Sequence, residues 1–420
     1  MRLLALALVI GVSGCTYTPV SNEYSGALAT ELAVPKWRPV SAETGKIRNV
    51  PGLDALARDF PDSGSVRLRL LQAHFGAENT AGVVKEALWL AERGYSFSEG
   101  ARKQIVAMAG ETALAHRLAT LFEGNLQRIE RSTVAGEVPS QVRLAESVAR
   151  VGDQWIVSSI VSKDLFVGEA GSWKSVGLTN VGSLAGLAID QQRDLIWATS
   201  GIYDPTPEPQ TAFSGLIGYS RAALQTEHRL ATPAGSTPSD LHLASDGKLY
   251  ASDPLAGAIY AFAQDDIEAR VLIPPGTFRS PQGLVTSADQ NKLYVSDYRY
   301  GIAIVDLASL EVSRLAAQRP MLLDGIDGLW RYGNLLIGVQ NGQNPMRIVT
   351  LQLSDDGLAA TDMQVLEQAH SQWTEPLGGS IQDGALYYVA TGQWDRFDEG
   401  GVVKESKEPV ATQIRRLSLD

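Results

Sequence analysis

Ser280-Pro281-Gln282-Gly283-Leu284, followed by Lys292-Leu293-Tyr294-Val295-Ser296-Asp297, is the stretch on which the fold turns. A polar residue and a glycine precede an apolar residue, a tight turn follows, and a β-rich run ends in Ser-Asp. The same order returns at Ser239-Asp240 to Leu249-Tyr250-Ala251-Ser252-Asp253. Looser copies run from Glu146-Ser147 to Trp155-Ile156-Val157, from Ala185-Gly186 to Ile196-Trp197, from Asp327-Gly328 to Leu335-Leu336 and from Gly378-Gly379 to Leu386-Tyr387. These starts recur every ~40–55 residues, the period of a four-stranded propeller blade. A unit of that size cannot bury both of its faces alone and must stack on neighbours, so six copies predict a closed ring. Asp246-Gly247, Asp324-Gly325 and Asp383-Gly384 supply the turn chemistry between the runs. The fold class expected is therefore mainly β: a six-bladed β-propeller over residues 126–420, with Gln127-Arg128-Ile129 and Ile414 to Leu417 sharing the closing blade.

The sequence before the ring changes period twice. Residues 51–125 show helical spacing. Val66, Leu68, Leu70, Leu71 and Phe75 mark one helix. Val83 to Ala91, closed by Gly94, mark a second, Ser98 to Met108 a third and Leu114 to Phe122 a fourth. A small α-helical domain is expected there. Residues 16–50, with Pro19, Pro35 and Pro39 and no periodicity, read as a tether. Residues 1–15 combine Met1-Arg2, an apolar stretch from Leu3 to Val12 and small residues before Cys15, the pattern of a secretion signal. Val12-Ser13-Gly14-Cys15 resembles a bacterial lipobox, which implies lipidation of Cys15 and a membrane partner through that anchor. Thr16 rather than Asp after the cysteine implies the outer membrane, facing the periplasm.

Composition narrows the function classes. Lys plus Arg total 36 against 47 Asp plus Glu, a formal charge of −11, which argues against nucleic acid as a partner. Cys15 is the single cysteine, so the ring holds neither an internal disulfide nor a thiol nucleophile. His74, His116, His228, His242 and His370 show no paired zinc spacing, and strand alternation turns His242 away from the channel. No nucleophile elbow, phosphate loop or dinucleotide fingerprint occurs. Trp330, Trp373 and Trp394 are candidates for packing between blades or for a ligand mouth, and the proline-rich run Tyr203–Pro209 reads as an inter-strand loop crossing a channel face, stiff enough to shape a lid.

The first strand of each blade lines the axis of a propeller. Aligning the copies places Glu146, Ala185, Ser239, Gln282, Asp327 and Gly378 at one channel mouth, and the oxygen donors among them suit a hard divalent cation, Ca²⁺ first. Two carboxylates facing one another there need water, a cation or a raised pKa. Over residues 140–420 the blade pattern resembles the family of senescence marker protein, gluconolactonase and luciferin-regenerating enzyme, six-bladed propellers with a divalent cation in the channel. That resemblance implies a metal set of Glu146, Ser239, Gln282 and Asp327, with Asp327 doubling as the acid–base group for lactone hydrolysis. Ser239 and Gln282 stand where the family has asparagines, and Asp240, beside Ser239, is a further channel candidate. The function expected is cation-dependent hydrolysis of a small lactone or ester. The rival expectation is a non-catalytic propeller that docks a peptide, glycan or envelope protein.

Overall fold

A computed structural model of the protein describes residues 35–420 apart from residues 170, 224, 264 and 265. The secretion signal, Cys15 and most of the expected tether lie outside the described residues. Six antiparallel sheets form the ring. Blades one to four span 145–175, 183–231, 241–273 and 281–314. Blade five spans 329–368 and carries Ala316–Ala317 as an added parallel edge strand. Blade six joins Gly379–Gln382, Ala385–Val389 and Thr412–Ser418 to a strand from the start of the domain, Thr133–Val138. The second strands are almost wholly buried, Leu195–Gly201 and Leu249–Asp253 at every position, because each blade is covered on both faces by its neighbours. That burial explains why they read as continuous apolar runs.

Closure differs from the expected register. Ile414 to Leu417 do lie in the closing strand, but their partner is Thr133–Val138, with Thr133 opposite Arg416 and Val138 opposite Thr412. Ile129 pairs instead with Gln368 of blade five. The true partner is an outer-edge strand, mostly open to solvent, so it carries little hydrophobic signal.

Six helices precede the ring: α1 (Ala42–Lys46), α2 (Val50–Asp59), α3 (Gly64–Gly76), α4 (Thr80–Ala91), α5 (Glu99–Met108) and α6 (Ala113–Gly124). The last four are the expected ones. Helix α2 is hidden in the sequence by Pro51-Gly52, yet proline is tolerated in a first turn, where its missing N–H has no partner to lose. Asn49 caps that turn by accepting from Gly52 N at 2.8 Å. Leu53, Leu56 and Phe60 of the α2 segment and Val66 and Leu70 of α3 share one core with Ile259, Phe278, Leu293 and Tyr300 of blades three and four. Trp37 and Val40, expected in a tether, belong to that core too, and their backbone N–H groups bond Val312 O and Thr277 O at 3.0 and 3.1 Å. Buried Asp324 of the ring caps α3 by accepting from Gly64 N and Ser65 N at 2.9 and 2.7 Å. The helices are thus packed on the ring, and residues Val34–Asp420 form a single compact unit. Among the described residues no helix is long and apolar enough to cross a membrane.

Candidate functional site

The channel mouth is built from β-bulges. In blade one Ala145 faces Ser159 and Ser147 faces Ser158, which leaves Glu146 as the extra residue. Blade two leaves Ala185 and Gly186 against one partner, and blade four leaves Gln282 and Gly283. The other blades share the device. Ser252 serves Ser239 and Asp240, Val339 serves Asp327 and Gly328, and Val389 serves Leu377 and Gly378. A bulge bends its strand and re-aims its side chains, here toward the axis. Neighbouring blades then clasp across the bulges: Gly186 N donates to Ser239 O at 2.8 Å, Gly283 N to Asp327 O at 2.8 Å and Gly378 N to Glu146 O at 3.1 Å. Only glycine allows this approach, since a Cβ at Gly283 would lie 2.3 Å from Leu329 N.

This hydrogen-bond pattern corrects the alignment of the copies in the last blade, where Leu377 and not Gly378 is the counterpart of Glu146. The mouth ring is Glu146, Ala185, Ser239, Gln282, Asp327 and Leu377. One layer deeper lie Ser147, Gly186, Asp240, Gly283, Gly328 and Gly378. A cavity of about 400 Å³ above the ring is bordered by Glu146, Ser239, Gln282, Asp327 and Leu377. A space of about 30 Å³, enough for about two waters, separates the layers and touches all four expected metal ligands and Asp240. Below it, a cavity of about 280 Å³ is bordered by Ser147, Asp240 and His242. Asp240 therefore faces the lower layer rather than standing in for Ser239 at the mouth. His242, expected to turn away from the channel, borders this lower cavity instead, although it lies off the mouth; its Nε2 is 2.9 Å from Thr286 Oγ1, and burial lowers its pKa to about 4, keeping it neutral.

The charge in this channel is unbalanced. Among the described residues neither Glu146, Asp240, Asp327 nor the rim residue Glu375 forms an ion pair. Burial pushes Glu146 well above the carboxylate range, and repulsion from Asp327 and Glu375 adds to it; the Trp394 Nε1–H bond to its Oε2, 2.8 Å long, pulls the other way. Burial raises Asp327 to about 6 against the opposing bond from Asn341 Nδ2 to its Oδ2 at 2.9 Å. Asp240 and Glu375 both rise to about 7, by burial first and repulsion from Asp327 as well. Each of these shifts favours the protonated form of its carboxyl group.

Several mouth residues carried little sequence signal. Pro254, Tyr298 and Asn341 line the cavity because each directly follows the second strand of its blade, so that position marks the rim in blades three, four and five. Tyr298 OH donates to Asn341 Oδ1 at 2.9 Å, and Asn341 Nδ2 also reaches Pro376 O at 3.1 Å, which fixes the amide toward Asp327. Trp394 and Tyr203 line the mouth and meet edge to face at 6.2 Å. Trp373 instead packs, stacking on His370 and donating to Tyr388 OH at 3.0 Å, and Trp330 borders the lower cavity.

The donor set suits a hard cation in kind. Glu146 and Asp327 each keep one carboxylate oxygen free of protein donors, and Gln282 Nε2 bonds Ser280 Oγ at 3.3 Å, leaving its carbonyl oxygen available. Among the described residues no three His, Cys, Asp or Glu side chains converge on one metal position. A cation here would rest on two carboxylates, an amide and a hydroxyl, with water completing its shell.

No protein-family model matches the chain, and no curated protein matches it significantly. Solved structures do resemble it. The calcium-binding protein regucalcin from Agrobacterium tumefaciens is 14% identical with a TM-score of 0.45, covering 68% of this chain and 95% of its own. A gluconolactonase from Xanthomonas campestris is 15% identical with a TM-score of 0.42, covering 69% and 100%. The PQQ-bound aldose sugar dehydrogenase from Streptomyces coelicolor is 14% identical with a TM-score of 0.43, covering 68% and 98%. None of these likenesses assigns a role to a residue of this chain.

Proposed function

We propose that the channel mouth is a divalent-cation site, Ca²⁺ first, and that the cavity above it hydrolyses a small lactone or ester. The observation that carries this reading is the concentration of unpaired carboxylates, with raised pKa values, around one solvent-sized space. Glu146, Ser239, Gln282 and Asp327 would hold the ion. When bound, a cation there would supply polarisation of the substrate carbonyl. The chain supplies the proton traffic. Asp327 takes a proton from the attacking water as the water oxygen bonds the carbonyl carbon. The ring C–O bond then breaks and the alkoxide leaves with a proton, which Glu375, near 7, is placed to give. Asn341 holds one oxygen of Asp327 and leaves the other free of protein donors, so cation ligation and proton transfer compete for it. Hydrolysis of a lactone panel with Ca²⁺, Mn²⁺, Mg²⁺ and Zn²⁺ tests this, with Asp327→Asn as control. Turnover that needs a cation and falls at least ~100-fold in the variant supports it. Cation binding without turnover of any lactone or ester would favour the non-catalytic docking role.

We also propose that the chain is lipid-anchored through Cys15 in the outer membrane, with the ring facing the periplasm. The Val12-Ser13-Gly14-Cys15 motif supports this. Labelled palmitate entering the wild-type protein but not Cys15→Ala, with outer-membrane fractionation, is the expected result.

A further inference from the structure

Beside the acidic mouth lies a basic groove. A cavity of about 700 Å³ between helices α1 and α3 and the ring is lined by Arg48, Arg69, Arg279 and Arg299, with no carboxylate among its lining residues. It adjoins the mouth cavity, which Arg279 and Arg299 also line. Among the described residues none of these four guanidinium groups forms an ion pair, in a chain whose formal charge is −11.

The groove is held in place from behind. Arg69 Nη2 donates to Thr44 O and Ile47 O at 2.9 and 2.8 Å, and its Nη1 reaches Tyr300 OH at 3.3 Å. Arg279 and Arg299 are positioned through their backbones, since buried Asp297 accepts from their N–H groups at 2.6 and 3.0 Å. That carboxylate is occupied by main-chain donors, so the Arg279 and Arg299 side chains remain exposed and without side-chain hydrogen bonds. Unpaired guanidinium groups around a concave space match an oxyanion, carboxylate or phosphate, which they bind through paired N–H donors.

We propose that this groove binds the anionic group of the channel's ligand, so that the ligand is a small acid, a carboxylate or a phosphate ester, whose far end enters the mouth. The assignment of that far end rests on the hydrolase reading; the anion site itself does not. The arginines would offset the repulsion that the mouth carboxylates exert on such a ligand, and would orient it with its reacting carbonyl toward Asp327.

The test is calorimetric titration of the metal-free full chain with inorganic phosphate, with gluconate and with neutral glucose. Binding of either anion but not of glucose is expected, weakened at least about tenfold in Arg279→Ala/Arg299→Ala and weakened again by salt. Whichever anion binds more tightly fixes the class. Both substituted side chains are exposed, and an unchanged denaturation midpoint confirms the fold of the variant. The same titration on Glu146→Gln/Asp327→Asn separates the two readings: anion binding there stands whether or not any lactone is hydrolysed. If a neutral lactone proves to be turned over, an anionic one should show a lower KM that the arginine variant abolishes, with the neutral KM unmoved. No anion binding, or binding that the arginine variant keeps in full, overturns the proposal.

Discussion

The ring closes and opens on carboxylates treated in opposite ways. At the closing seam Glu367 is fully buried and accepts from Arg131 N at 3.1 Å, Ser132 N at 2.9 Å, Ser132 Oγ at 2.6 Å and Tyr388 OH at 2.7 Å. Arg415 Nε donates to the same Ser132 Oγ at 2.8 Å, so strands from both ends of the domain meet on one satisfied network. Asp253 follows the same rule, accepting from Thr237 N, Leu255 N, Ala256 N and Tyr260 OH. At the mouth, Glu146 and Asp327 have one side-chain donor each, from Trp394 and Asn341, and face a cavity. A buried carboxylate with a complete set of donors holds strands together. One left short of protein donors beside open space is the basis of the cation site proposed above.

Glu367→Ala should have the largest effect on the fold, about 3–5 kcal/mol of lost stability at pH 7, because it strands several buried donors at the seam. Chemical denaturation measures it, and a loss below about 1 kcal/mol would remove the distinction between the two sites. Glu146→Gln/Asp327→Asn should do the reverse, leaving stability equal or higher while abolishing the cation response. The sign follows from linkage. Asp327 and Asp240, near 3.8 when unperturbed, sit at about 6 and 7 in the folded protein, and Glu375 rises from 4.5 to about 7. The folded state binds extra protons between those values, so their contribution is fully present below about pH 4 and is lost as pH rises through about 7. Metal-free protein should lose stability across that window, and saturating Ca²⁺ or the double substitution should flatten the curve.

Smaller effects sharpen the contrast. Trp394→Phe removes the single donor to Glu146 and should weaken cation binding about tenfold, as loss of a partner behind a metal ligand does, with the fold unchanged by circular dichroism. Asn341→Ala frees Asp327 from the bond that holds its pKa down, so the acid limb of the activity profile should move to higher pH than in the wild-type protein. A profile that stays put would show that Asn341 does not tune the base.

The ring was legible because each blade repeats one apolar order around a turn, and the inner-strand starts fall within about two residues of the observed ones, as element boundaries usually do. The mouth set Glu146, Ser239, Gln282 and Asp327 came from that same alignment. It slipped by one at Leu377-Gly378 because the sequence there offers two adjacent glycines, and only the clasp from Gly378 N to Glu146 O identifies which one matches. Glu375 and Asn341 were not legible as site residues, since they lie in loops whose path across the mouth is fixed by tertiary packing. Arg48 and Arg69 were hidden for another reason. Their importance depends on α1 and α3 docking beside the mouth, and nothing periodic in residues 35–76 announces where those helices sit.

The most direct test is a melting-temperature titration of metal-free protein with Ca²⁺, Mn²⁺, Mg²⁺ and Zn²⁺, run beside Glu146→Gln/Asp327→Asn. A ligand at 100 times its Kd adds about 2.7 kcal/mol to the native state. The expected result is a rise with at least one cation in the wild-type protein and none in the variant. No rise with any cation, or an equal rise in both proteins, would contradict a cation site at the mouth.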